Sequence, residues 1–384
     1  MNQPRAKFRY RVPLGIALGL LASGVVLAVL PDRGGGASRP TGGRLLSECG
    51  GRIREAVIHY VPDAAEVVVP VYRDFLRQLP ADVTVHVVCR NCTAFDELAS
   101  RVSPISCKLA PVIVDHPMTG WSRDRWLALK SAGRDDRIVL LCPQAENGGD
   151  IWPERAGDRQ VAADLTAAIP NVGVLSSELY FDGGDIAADA ETAFVTPAMP
   201  LRNIQHTVEN AEELRTRLSA LLDRRVVLLH GVPDHHTAMY MAPVGRRTVL
   251  VGDPAWARRL LKEAGKLREA EKWFPGGPDF SDASIVRFDA VAEQCRAIGY
   301  RVVRIPIVPG SDGRTFFTYV NAIMDERDGR RVVYMPTFSE VETLNREAAR
   351  VWEELGYEVR QVCCDSCYRY FGTLHCLVNV LRRD

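Results

Sequence analysis

Five times along this chain a helical pattern ends and runs straight into an alternating strand, and this recurrence limits the fold more than any other feature. Residues 75–80 lead into 83–89, 161–170 into 172–177, 211–223 into 225–230, 291–299 into 300–307, and 345–356 into 357–362. In the last two, Gly299 and Gly356 end the helix, as a residue with free access to positive φ should. Each unit also carries a second apolar strand, at 138–143, 193–197, 248–254, 332–336 and 374–381. The copies are unevenly spaced, which argues against a tandem solenoid. An α/β ring of five sheet-bearing blades around a central pocket is therefore expected. A doubly wound sheet is the rival, but no glycine-rich nucleotide loop follows the first strand.

The N-terminus stands outside that repeat. Residues 13–30 (PLGIALGLLASGVVLAVL) carry no charge and follow Arg5, Lys7, Arg9 and Arg11. Such a run is just long enough to span a bilayer, with its basic flank in the cytoplasm. Residues 1–31 read as one transmembrane signal-anchor helix, or as a signal peptide if cleaved. Residues 32–48 read as a flexible linker, and 49–384 as one extracytoplasmic domain. Lys plus Arg and Asp plus Glu both number 48, for a net charge of 0. That balance speaks against a nucleic-acid partner, which needs excess positive charge. The ten cysteines include two C-x-x-C pairs, Cys89/Cys92 and Cys364/Cys367. In an exported domain these favour disulfides, with free thiols, zinc binding or thiol-redox chemistry as alternatives.

The loops of the repeated units hold the residues able to do chemistry. Unit one has Trp121-Ser-Arg-Asp-Arg-Trp126 and unit two Tyr180-Phe-Asp-Gly-Gly-Asp185. Unit three has Pro233-Asp-His-His-Thr-Ala-Met-Tyr240 and unit five Tyr370-Phe-Gly-Thr-Leu-His-Cys376. Singly, each has an ordinary reading: a surface ion pair, a glycine turn, a core histidine, a small buried thiol. Together, carboxylates, a histidine and a cysteine lie on equivalent loops that can converge.

With these four motifs in this order, residues 50–384 resemble the guanidino-group-modifying superfamily, and most closely its agmatine deiminases and Porphyromonas-type peptidylarginine deiminases. WSRD (121–124) is similar to the family's Trp-x-Arg-Asp, and FDGGDI (181–186) to its Glu-Gly-Gly-Asp/Asn. HHTAMY (235–240) sits where the family has Gly-His-x-Asp-Met-Tyr, and GTLHCLVN (372–379) is similar to its nucleophile motif. The resemblance implies a five-bladed pseudo-symmetric α/β propeller. It also implies a hydrolase of guanidine or amidine C–N bonds acting on a small guanidine or peptidyl-arginine, with no metal and no cofactor.

On this resemblance Cys376 is the nucleophile, His236 the general acid–base, and Asp182 the carboxylate that both orients the histidine and contacts substrate. Asp124 clamps the substrate guanidinium, with Trp121, Arg123 and Gly184 on the binding surface; Asp234, two residues before His236 and on the same face of an extended segment, is the candidate to fill the gap at Ala238. Chemically, a planar cation needs in-plane carboxylates to fix its N–H edges and a thiolate above its central carbon. Two positions depart from the family: Asp182 replaces its usual Glu, and Ala238 stands where a second clamp Asp belongs. These departures keep a catalytically silent binding domain, or an amidinotransferase, as alternatives on the same scaffold.

Overall fold

The computed structural model describes residues 43–131, 137–144 and 153–384. The N-terminal apolar run lies outside the described residues. Among the described residues, no helix is long and apolar enough to cross a membrane.

All five helix-to-strand pairs form. The helices Ala65–Leu76, Val161–Ala168, Ala211–Leu222, Asp282–Ala297 and Glu342–Glu354 each precede a strand. Their apolar residues recur at helical spacing, as with buried Val68, Val71, Tyr72 and Phe75. Side-chain caps set several starts: Asn210 accepts from the Glu213 N–H at 3.0 Å, and Ser281 from the Ser284 N–H at 3.2 Å. Gly299 and Gly356 end their helices at φ 88° and 82°.

Each unit holds at least three strands, and two of the sheets hold four, where the sequence pattern shows two. In one sheet, Ile138–Cys142 is antiparallel to Leu127–Lys130 and parallel to Val172–Ser176, so Leu141 lies between Leu127 and Leu175. Thr192–Val195, Thr248–Asp253 and Arg330–Thr337 repeat that middle role in three further sheets. In the fifth sheet, Val378–Arg383 pairs antiparallel with Ile53–His59, which pairs parallel with Thr84–Cys89. The overlooked strands are short and buried. Ile186–Ala188 has all three residues inside and no alternation to reveal it. Arg44 and Leu45, in the segment read as a linker, pair with Lys130 and Leu129.

The chemistry-bearing loops occupy one recurring position, after a parallel strand and before the next hairpin. They bond to one another in cyclic order. Gly183 N–H donates to Asp124 O at 2.7 Å, and Thr237 Oγ1 to Asp185 O at 2.7 Å. Asn321 Nδ2 donates to Ala238 O at 3.4 Å, and His375 N–H to Asn321 O at 3.3 Å. Arg123 N–H donates to Cys376 O at 3.3 Å, which closes the circle.

Candidate active site

Asp182 sits in extended backbone just before a single turn, Gly183–Asp185, and its N–H donates to the Asp185 carboxylate at 2.8 Å. Neither Gly183 nor Gly184 has positive φ. Their role is close approach. A Cβ on Gly183 would lie 2.1 Å from Arg123 O, and one on Gly184 would lie 2.4 Å from His236 Nδ1. The His236 ring thus rests on bare backbone, with Asp182 Oδ2 3.9 Å from its Nε2. At that separation the two form an ion pair rather than a hydrogen bond.

Charge at the site is arranged to keep His236 protonated. Burial works against the imidazolium. Asp182 and the Cys376 thiol outweigh it, aided by the charges of Asp124 and Asp185, and hold the group well above the usual histidine range. Burial likewise opposes the Asp182 carboxylate, yet His236, Arg202 and Arg125 keep it well below the carboxylate range. Asp185 goes the other way, raised by burial and by the Asp182 charge. The neighbouring His235 is driven down to about 3 by burial and by the His236 charge. Its ring stacks on His236 at 4.9 Å, and its Nε2 lies 3.0 Å from Phe371 O.

Cys376 is 4% exposed, on the short turn Leu374–Leu377. Its Sγ lies 3.5 Å from Asn321 Nδ2 and 3.9 Å from Met239 Sδ, and it is near enough to His236 to help keep that imidazole charged. A guanidinium already lies in front of this group, and it belongs to the chain itself. Arg155 Nη1 donates to Asp124 Oδ2 at 2.5 Å, and its Nη2 to Asp182 Oδ1 at 3.3 Å.

Solved structures with the same architecture include agmatine deiminases. The chain superposes on the C. jejuni agmatine deiminase at TM-score 0.62, with 14% identity over 88% of this chain and 97% of that one. For the agmatine deiminase of Enterococcus faecalis the values are 0.64, 13%, 90% and 98%. A candidate arginine deiminase from Porphyromonas gingivalis gives 0.62 and 20%, over 87% and 96%. The chain has the agmatine deiminase fold. This likeness agrees with the fold that the motif resemblance implies. No family profile and no curated protein sequence matches the chain.

Within this fold the expected residues divide into three groups. Asp124, Asp182, His236 and Cys376 come together, with Gly184 under the histidine. Trp121 stands beside them, its ring against Gly372, where a Cβ would lie 2.5 Å from Cζ3. Two residues are placed elsewhere. Arg123 turns inward, donating to Glu48 Oε1 at 2.5 Å and Asn379 Oδ1 at 3.2 Å. Asp234 is exposed on the surface. Ala238 is buried and lines a small cavity with Glu48 and His375.

The expectation of disulfides is corrected: all ten cysteines are free. Cys89 closes a strand in the interior while Cys92 opens the next helix at the surface. Cys364 and Cys367 are both fully buried, Cys367 Sγ donates to Cys364 O at 3.4 Å, and burial pushes Cys364 well above the usual range. Among the described residues, no cluster of three or more His, Cys, Asp or Glu side chains is arranged to hold a metal ion.

Three further participants escape a motif search. Asn321 is fully buried; its Oδ1 accepts from Thr373 Oγ1 at 2.7 Å and His375 N–H at 3.0 Å, which fixes the cysteine turn. The signal available for it was position, the fourth unit's copy of the reactive loop. Arg202 donates to Asp182 Oδ2 at 3.2 Å and also to Asp185. Glu48, in the segment read as linker, joins Arg123 and His375 (2.8 Å) beneath the site. Burial opposes the Glu48 charge, but Arg123 and His375 bring the carboxyl down to about 2.

Proposed function

We propose that this protein is a cysteine-dependent hydrolase that releases ammonia or an amine from a guanidine or amidine. One observation carries the proposal. The two carboxylates expected to contact a substrate guanidinium, Asp124 and Asp182, hold that of Arg155, beside a charged histidine and a buried thiol. The Cys376 thiolate attacks the central guanidinium carbon, forming a C–S bond and a tetrahedral adduct. His236 gives its proton to the leaving nitrogen, and a covalent thiouronium remains. His236 then takes a proton from water, whose oxygen bonds to the same carbon and expels the thiolate. Asp124 and Asp182 keep the planar cation in register throughout, since bidentate charge-assisted bonds fix both distance and plane.

The substrate class in this reading is a small guanidine or a peptidyl-arginine side chain. The five units stand as blades around a pseudo-fivefold axis, an arrangement the cyclic loop bonding supports. The N-terminal apolar run tethers the domain to a membrane, on the strength of sequence alone. A catalytically silent binding domain is the second reading, favoured by Ala238 and by the resident Arg155. Ammonia release from agmatine, arginine and an arginyl peptide separates the two. Turnover lost in Cys376→Ser and in Asp124→Asn supports the hydrolase. Guanidine binding without turnover supports the silent domain.

A further inference from the structure

Arg155 is built into its place. It lies on the short helix Pro153–Asp158, whose far end is tied down. Asp158 accepts from Thr119 N–H and Oγ1, both at 2.7 Å, and its carboxylate lies 3.9 Å from His59 Nδ1. Gly157 packs so tightly on the loop that holds Pro117 that a Cβ would fall 1.6 Å from Pro117 O. The helix therefore cannot settle elsewhere without losing these contacts, and it aims Arg155 at Asp124 and Asp182. Burial disfavours the Arg155 charge, but Asp124 and Asp182 overcome this and raise the group above the usual arginine range.

Among the described residues, Asp124, Asp158, Asp182 and Asp185 face Arg125, Arg155, Arg202 and His236. Arg155 is the cation whose two terminal nitrogens bridge both clamp carboxylates. Its side chain is 19% exposed, so the site's open side reaches it.

We propose that Arg155 is a specificity-determining residue: it is the resident ligand of the Asp124–Asp182 clamp, and a substrate guanidinium binds only by displacing it. This rests on the hydrolase reading of the same carboxylates. A tethered competitor acts at an effective concentration of about millimolar or higher. Simple guanidines that bind the clamp weakly are thus screened out, and only ligands with further contacts reach Cys376.

Alkylation of Cys376 tests this without knowledge of the natural substrate. 2-Chloroacetamidine carries a planar cationic head that mimics the guanidinium. The thiolate displaces chloride, forming an S–CH2 bond. Iodoacetamide, which is neutral, reports on the thiol alone. Rates at Cys376 are read by peptide mapping on the full chain, with folding checked by thermal melting. Arg155→Met is expected to raise the amidine rate relative to iodoacetamide at least tenfold. Arg155→Lys, which keeps the charge without the fork, should raise it less. Adding Asp124→Asn to Arg155→Met should abolish the gain. An amidine preference already present in wild type, lost in Asp124→Asn and unchanged by Arg155→Met, would overturn the role of Arg155 and leave the hydrolase reading standing. The absence of any amidine preference in every variant would overturn both.

Discussion

Adding a single methyl group to Gly184 should disable the site while leaving its chemical groups intact. In Gly184→Ala the new Cβ would stand 2.4 Å from His236 Nδ1, 2.6 Å from Cγ and 2.9 Å from Cε1. Ordinary contact begins at 3.4 Å, so the ring must retreat by about 1 Å. Its retreat is resisted by His235, stacked at 4.9 Å, which itself stacks on Phe316 at 6.0 Å. A displacement of about 1 Å at a catalytic group costs on the order of 10²-fold in rate, which is about 2.7 kcal/mol at 1.36 kcal/mol per decade. Overpacking itself should cost about 1–3 kcal/mol of stability. The assay is ammonia release at saturating substrate, with urea unfolding in parallel. Because Gly184 lacks positive φ, backbone strain is not an alternative cause. A rate within threefold of wild type would refute the view that His236 is held by contact with this glycine.

Other perturbations give further checks. Asn321→Ala removes the acceptor of the buried Thr373 hydroxyl, while His375 N–H keeps the Asn321 carbonyl; urea unfolding should show a loss of about 1–3 kcal/mol for the one stranded group. Glu48→Gln breaks a buried pair with Arg123 and His375 and should cost about 3–5 kcal/mol at neutral pH. With Glu48 lowered from 4.5 to about 2, its contribution is present above pH 4.5 and lost as pH falls towards 2, so the variant's deficit should shrink there. His236 is raised, so its stabilisation is full below about pH 6.5 and lost as pH rises through its folded value. Urea midpoints should therefore show the gap between wild type and His236→Gln narrowing with rising pH, and a widening gap would contradict the ion pair with Asp182.

Much of this molecule is legible in its sequence, for physical reasons that differ between elements. The five helices show because their buried faces recur at 3.6 residues and because glycine marks two of their ends. The hairpin strands do not show, because Ile186–Ala188 is buried throughout and leaves no two-residue alternation. Cys376, His236, Asp124 and Asp182 are legible as reactive types at equivalent loop positions. Asn321 is invisible to that search, since an uncharged amide between Val320 and Ala322 reads as ordinary loop. Arg155 in Pro-Glu-Arg-Ala-Gly-Asp reads as a solvated surface charge, and only three-dimensional packing turns it onto the clamp. Glu48 looks like linker because its function needs Arg123 and His375, far away in sequence. Arg123 was misplaced by its neighbourhood: adjacent to Asp124 in the chain, it points to the opposite side of the loop.

The nucleophile can be caught directly. Full-length protein mixed with a guanidine substrate, quenched in acid within milliseconds to seconds and mapped by mass spectrometry, should carry a thiouronium adduct on Cys376. The adduct should form in Arg155→Met at lower substrate concentration than in wild type, and never in Cys376→Ser. Ammonia release that persists in Cys376→Ser, or turnover with no adduct on Cys376 at any quench time, would contradict the assignment.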